Sequence, residues 1–475
     1  MLPLAHYQAK RRKFLERIRQ PVLLFAGGER ARNYPANTYP MRADSNFLML
    51  FATPEPESAA LFDPGDGTTT LFLPERTTEM FLWMGPVPAF DEVRERAGVD
   101  RVLAVDQLET HVKEAARGRE MATVAVADSR VTARARSVTG LDLDFYAPER
   151  LGPAWLVDVL AELRTRKNDA EIDEIRLAAA ATRGAFVKAM GATRPGATEQ
   201  ELAGIVEGEF AKSGCVPAYG TILSARGEVL HNHTHDGVLE EGDLVLADAG
   251  AELPSGLSAD VTRTWPASGR FDADQRDVYE IVLDAQLTAI AAARASVRYR
   301  DVHFAAARVV ADGLRELGLL RGSTDALIES GAHALFFPHG VGHFLGLDTH
   351  DLRIFGDRVL LGPGRTRSRE FGTEFLRIDR DLEPGMVVTI EPGIYFVPAI
   401  LHRSDFRERF RDFVDFDRTE NFLTRNRGRG FGGIRIEDDV LVTGGDPEVL
   451  TPGIPKSTLD VETAVGNRVA TTRCV

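Results

Sequence analysis

Four acidic residues stand where an apolar strand pattern leaves little room for charge: Asp248 after Leu-Val-Leu-Ala, Asp260 before Val261, Glu391 after Val-Val-Thr-Ile and Glu437 after Ile-Arg-Ile. A carboxylate buried in a sheet costs several kcal/mol unless a cation or hydrogen-bond donors compensate it. Taken singly, each reads as a strand-end cap or a solvated edge. Taken together, they ask for a shared cation. Eight of the eleven histidines fall between His231 and His350, and three of them, His339, His343 and His350, share one glycine-rich stretch. Four carboxylates and one imidazole would neutralise about two divalent ions, and such an oxygen-rich set suits Mn²⁺ or a similar metal better than a thiolate-loving one. The two cysteines, Cys215 and Cys474, are too few for a thiolate cluster or a disulfide framework, and Cys474 falls in a tail expected to fray. Two metals about 3.5–4 Å apart can share a hydroxide as nucleophile and polarise a carbonyl, which is hydrolytic chemistry.

These residues need a scaffold, and the chain is long enough to build one. Its 475 residues carry 71 acidic and 57 basic side chains, a net charge of −14, with 44% hydrophobic and 27% charged residues. That is the composition of a soluble globular chain of two to four domains. The acidic balance disfavours nucleic acid as a partner. No apolar run reaches the roughly 18 residues a membrane span needs, and the charged amphipathic start lacks a signal-peptide core, so no membrane partner and a cytoplasmic location are expected. In the first third, the apolar runs Pro21–Gly28, Asn46–Phe51, Thr70–Pro74 and Ala122–Asp128 read as buried strands of an α/β domain over residues 1–165. The charged stretch Leu163–Glu171 marks the boundary and opens a helix running through Met190. The second domain, 166–475, starts helical, and Thr198 and Glu201 have capping-box spacing before a helix that stops near Gly214. Asp243–Asp248 and Leu257–Trp265 flank a Pro-Ser-Gly turn as a hairpin. Helical patterns follow over 274–297 and 301–318, then strands at Val387–Glu391 and Gly433–Leu441, separated by a loop or helical insertion from Pro398 to Gly430. This succession predicts an α+β domain with a mainly antiparallel sheet.

The ordered set Asp248-Ala-Gly-Ala, Ser258-Ala-Asp260-Val-Thr-Arg-Thr, His339-Gly-Val-Gly-His343, Glu391-Pro-Gly-Ile-Tyr and Arg435-Ile-Glu437-Asp-Asp resembles the pita-bread (creatinase/aminopeptidase-like) metallopeptidases, specifically Xaa-Pro aminopeptidase (aminopeptidase P) and Xaa-Pro dipeptidase (prolidase). Tyr39–Leu48 and Glu55–Ser58 resemble that family's smaller N-terminal domain. The resemblance implies a dimetal site loaded most readily with Mn²⁺, with Zn²⁺ or Co²⁺ as alternatives. It makes Asp248 a terminal ligand of one metal, His343 and Glu391 terminal ligands of the other, and Asp260 and Glu437 the bridges. It places His231 near the leaving side of the substrate, His339 and His350 on the substrate and its oxyanion, and Arg435 behind the bridging region. Glu391 gains a second role, as general base. His233, His235 and His333 match nothing and are expected on the surface or in loops. Ser224–Val229 follows the family pattern only loosely, and the loop Glu252–Ser258 lacks the aromatic residues common there, so the substrate pocket is expected to differ in shape.

A dipeptidase must recognise a free carboxylate just beyond proline, whereas an aminopeptidase must leave room for the chain to continue. Arginine is the natural carboxylate clamp. Arg377 and its following residues resemble the prolidase segment whose arginine takes that role, as does the insertion ending in Arg429-Gly-Phe-Gly-Gly; a solvated charge is the ordinary fate of an arginine. The expected activity is removal of the N-terminal residue from peptides with proline second, with prolidase activity through Arg377 as the alternative. A non-catalytic binding protein of the same fold is the remaining reading, and the filled ligand positions argue against it. The resemblance also implies a homo-oligomer, a dimer or tetramer, acting on proline-containing peptides.

Overall fold

The computed structural model describes residues 2–466, so Cys474 lies outside the described residues. The chain divides into two compact units: one runs to Thr165 and includes Leu352–Val359, and the other holds Arg166–Asp351 and the chain from Leu360 onward. The detour of Leu352–Val359 into the first unit has no signature in composition.

In the first unit a four-stranded sheet has the order Val22–Phe25, Ala59–Asp63, Thr68–Leu73, Arg101–Ala104, with the first three antiparallel and the last parallel. Helix Leu4–Arg17 packs Phe14 edge-on against Phe62 of the sheet, ring centroids 4.9 Å apart. Two of the expected strands are absent. Asn46–Phe51 is instead a short helix, Ser45–Leu48, followed by a turn, because Asp44 caps it by accepting the Asn46 N–H. Ala122–Val126 is buried, but only Ala122 pairs, in one parallel bridge with Val22. Burial had made both runs apolar, and an apolar run alone does not distinguish strand from short helix.

The second unit carries the acidic positions. Helix Asp169–Ala192 starts in a full capping box between Asn168 and Glu171. Helix Glu199–Lys212 has half of one: Thr198 Oγ1 accepts the Glu201 N–H at 3.0 Å, while the Glu201 carboxylate turns to Arg194. Helices Ala273–Ala292 and Tyr299–Glu316 follow, and the insertion from Pro398 is helical over Pro398–Leu401, Ser404–Arg409 and Phe416–Gly428. Every paired strand here is antiparallel. Leu244–Ala249 pairs with Val261–Pro266, setting Asp248 opposite Thr262. Since side chains alternate, Asp260 lies on the same face as Thr262 and so beside Asp248. Gly250 is required at this end of the hairpin, because a Cβ there would sit 1.8 Å from the Ala259 carbonyl oxygen.

The expected continuous strand Gly433–Leu441 is broken in two. Gly433–Arg435 pairs with Gly393–Tyr395, and Asp438–Leu441 with Val387–Ile390. Both ladders keep one register, and Glu391 and Glu437 face each other in the gap between them. The interruption frees these two residues from the ladder and points them into one site.

His303 and His333, from the Tyr299–Glu316 helix and the 3-10 turn Ala332–Leu335, are both buried. This corrects the expectation that His333 is a surface or loop residue; its Nδ1 bonds the Leu327 carbonyl at 3.1 Å. Neither ring nitrogen of His303 has a partner among the described residues. Burial, with His333 and Arg300 adding to it, pushes the His303 pKa down to about 3. A depressed folded-state value means that stability present above the ordinary histidine range is lost as the pH falls toward 3. His303→Gln is therefore expected to lose less melting temperature between pH 7 and pH 4 than the parent chain, and an equal loss by calorimetry would refute this.

Candidate active site

Asp248, Asp260, His343, Glu391 and Glu437 converge in the second unit. The His343 N–H donates to Thr389 Oγ1 at 3.0 Å, and Nδ1 bonds the Phe344 carbonyl at 3.0 Å. That fixes the ring so that Nε2 faces Asp260 Oδ2 at 3.4 Å and Glu391 Oε1 at 3.6 Å. Close packing brings His343 there: a Cβ on Gly342 would lie 2.1 Å from the Thr389 carbonyl oxygen and 2.4 Å from the Tyr299 hydroxyl. Ligand atoms of Asp260, His343 and Glu437 all lie within 4.8 Å of one another.

Arg435 is buried at the back of the cluster. It bonds Asp248 Oδ2 through Nη2, donates from Nε to Thr262 Oγ1 at 3.0 Å and from Nη1 to the Tyr395 hydroxyl at 3.2 Å. Thr262 Oγ1 in turn donates to Glu437 Oε2 at 2.6 Å. One guanidinium thus bonds Asp248 directly and reaches Glu437 through Thr262. Burial, and then the charges of Asp260, Glu391 and Asp248, push the Glu437 pKa well above the usual carboxylate range. Burial raises Glu391 against the pull of His343, Arg435 and Arg377, and raises Asp248 with Asp260 adding to it.

The remaining expected residues take different places. The His350 ring stands edge-on to His343, centroids 4.3 Å apart, and its Nδ1 lies 3.5 Å from Arg377 Nη1. His339 lies with its Nδ1 3.9 Å from Glu391 Oε2, and both its nitrogens are engaged, Nδ1 with the Gly340 carbonyl and Nε2 with the Tyr395 hydroxyl, each at 2.8 Å. Burial pushes its pKa down to about 3, so the ring is neutral. His231 is exposed on the loop that follows Ile222–Ser224.

Tyr219 belongs to the site and was not foreseen. Its hydroxyl bonds Asp248 Oδ1 at 2.6 Å and also Asp260 Oδ1. A hydroxyl has one proton, so it donates to one carboxylate at a time and holds the two together. Nothing in the sequence around Val216–Gly220 announces this, because the partners lie 29 and 41 residues further on. Tyr219→Phe keeps the ring and removes the donor; Mn²⁺ affinity by calorimetry is expected to fall by about 10–100-fold. Unchanged affinity would reduce the residue to packing.

Carboxylates gathered around one imidazole and one guanidinium, most of them buried, suit a hydrolase that works with metal. Residues 173–444 match metallopeptidase family M24 and residues 7–125 match the aminopeptidase P N-terminal domain. The chain belongs to metallopeptidase family M24, and its second unit has the pita-bread fold of that family. It is 31% identical to the human Xaa-Pro dipeptidase over 97% of this chain and 93% of that protein. It is 32% identical to the Xaa-Pro aminopeptidase of Escherichia coli K12 over 96% of each. The structure of Pseudomonas aeruginosa aminopeptidase PepP superposes with a TM-score of 0.80 at 30% identity, covering 98% of both chains.

The donor set fits the divalent metal that such a family implies. Carboxylate oxygens and one imidazole nitrogen are ligands for Mn²⁺, Zn²⁺ or Co²⁺, and three buried carboxylates with a fourth, Glu391, partly buried beside them leave negative charge for a cation to neutralise. Cys215, the cysteine among the described residues, places its Sγ 3.6 Å from the Ser213 carbonyl oxygen, away from this set.

Proposed function

We propose that the chain is an Xaa-Pro aminopeptidase, hydrolysing the bond between an N-terminal residue and a proline in second position. The convergence of Asp260, His343 and Glu437, with Glu391 beside the imidazole, carries this reading. Asp248, Asp260, His343, Glu391 and Glu437 would hold two divalent metals, with Mn²⁺ the best suited. Bound there, the metals would polarise the scissile carbonyl and acidify a water.

The chain's own groups supply the rest. Glu391 takes the proton of the attacking water and delivers it to the departing proline nitrogen, a task suited to a carboxylate whose pKa is raised by burial. His350 offers a ring N–H to the developing oxyanion. His339, neutral and held by Gly340 and Tyr395, forms an uncharged wall for the substrate. Arg435 keeps Asp248 and Thr262 in place behind the reacting groups, and the family resemblance assigns His231, on its exposed loop, to the leaving side of the substrate. The solved aminopeptidases P, which this chain matches over 98% of its length, support the aminopeptidase reading.

A second reading, Xaa-Pro dipeptidase, is favoured by one observation: Arg377 stands at 3.5 Å from His350, and its charge reaches Glu391 and His339. An arginine there can clamp a dipeptide carboxylate. Turnover with Mn²⁺ separates the two. Cleavage of an Xaa-Pro-Yaa-Yaa peptide with release of its first residue is expected; cleavage of Xaa-Pro dipeptides alone would establish the second reading.

The reading extends to a cytoplasmic homo-oligomer. A chain with two cysteines suits a reducing compartment. Self-association is supported by Phe81, Leu82, Trp83 and Met84, which are 44%, 74%, 77% and 68% exposed in one short helix.

A further inference from the structure

Arg263 is fully buried, yet its guanidinium serves neither substrate nor solvent. Nη1 donates to the carbonyls of Thr262 at 2.9 Å and Glu437 at 2.6 Å, Nη2 to Asp438 Oδ1 at 2.7 Å, and Nε to the Pro455 carbonyl at 3.0 Å. Asp438 is buried as well, and accepts from Thr451 Oγ1 at 2.8 Å, Gln286 Nε2 at 2.7 Å and Lys456 Nζ at 2.7 Å. Its neighbour Asp439 accepts the backbone N–H of Asp260 at 3.1 Å, and the Leu450 N–H donates to the Asp439 carbonyl at 2.8 Å. The segment Leu450–Lys456 is therefore bonded to residues that adjoin both Asp260, at the end of the hairpin, and Glu437, in the break of the ladder.

A buried set of charges is an expensive way to gain stability, since apolar side chains of similar volume often do as well. Here every member ends on the backbone or the side chain next to a carboxylate of the site. We propose that Leu450–Lys456 is a clasp that sets the spacing of Asp260 and Glu437, with Arg263 and Lys456 as positioning residues, so that metal binding and closure of the clasp are coupled. The proposal rests on the reading of these carboxylates as metal ligands. Coupling is reciprocal: a clasp that favours the metal must itself be held more firmly when metal is bound.

Two measurements on the full-length protein test it, using Mn²⁺ alone as the probe. Amide exchange at Thr451, Gly453, Ile454 and Lys456 is expected to slow by about tenfold or more on loading, compared with protein treated with chelator. Calorimetric titration of Lys456→Met is expected to show Mn²⁺ affinity weakened by about tenfold or more, with Lys456→Arg restoring it. Exchange indifferent to metal in the parent chain, or parental affinity in Lys456→Met, overturns the clasp. Asp260→Ala separates the two levels. If it too binds Mn²⁺ like the parent, the metal reading itself falls; if it loses binding while Lys456→Met does not, only the clasp is lost.

Discussion

Asp260→Ala is expected to lose turnover by at least about a thousandfold at saturating Mn²⁺, the scale of several kcal/mol of transition-state stabilisation. Asp260 is the residue on which the site's contacts meet: the Tyr219 hydroxyl bonds Oδ1, His343 Nε2 lies 3.4 Å from Oδ2, and its own N–H is held by Asp439. Its removal leaves Glu437, already pushed up by burial, without the acidic neighbour whose charge acts on it most strongly. Metal content by elemental analysis should fall together with turnover. His233→Ala is the control, since that ring is exposed, and its turnover should stay within about twofold. Near-parental turnover in Asp260→Ala would defeat the assignment. The raised carboxylates also set the direction of the pH dependence. Groups that hold protons in the metal-free chain must release them to bind a cation, so Mn²⁺ affinity should rise with pH through the window above the ordinary carboxylate range.

The second large effect concerns Arg377. Charge-assisted hydrogen bonds are worth about 1.5–3 kcal/mol, which converts to roughly 10–100-fold in binding. Arg377→Ala is expected to raise the KM of an Xaa-Pro dipeptide by about that factor while leaving an Xaa-Pro-Yaa-Yaa peptide within about threefold. The difference arises because only the dipeptide ends in a carboxylate at that depth. Equal losses on both peptides would show that Arg377 acts through His350 or Glu391 and not as a clamp. Arg377→Lys should recover only part of the loss, because a point charge does not reproduce a two-pronged donor.

Much of this site could be read before any coordinates. Acidic residues inside apolar strand patterns asked for a compensating cation, and the hairpin carrying Asp248 and Asp260 was expected from two strand-like runs around a Pro-Ser-Gly turn. Other features had no local signal. Asn46–Phe51 is apolar because it is buried, and only Asp44, a residue outside the run, decides for helix. The break at Ile436-Glu437 leaves no trace in a sequence whose β pattern continues through it. Tyr219, Arg263 and Lys456 act across tens to nearly two hundred residues of chain, where spacing carries no information. Leu163–Glu171 read only as a charged stretch opening a helix, yet Lys167 inside it is buried in an ion pair with Asp351. A sequence shows that a residue is charged, but its partner emerges only in the fold.

That ion pair marks the place where the chain changes units. Passages occur at Thr165–Arg166, Asp351–Leu352 and Val359–Leu360, and the Lys167–Asp351 pair at 2.9 Å fastens the first two where they enter and leave the second unit. A gene cut at codon 166 would therefore leave one segment of the first unit behind in the second. It would carry Leu352–Val359 away from the groups that cover it, stripping Phe355 of the Arg164 guanidinium and Arg358 of Asp158. A single recombination event cannot trade one unit for another, since three joints would have to be mended at once.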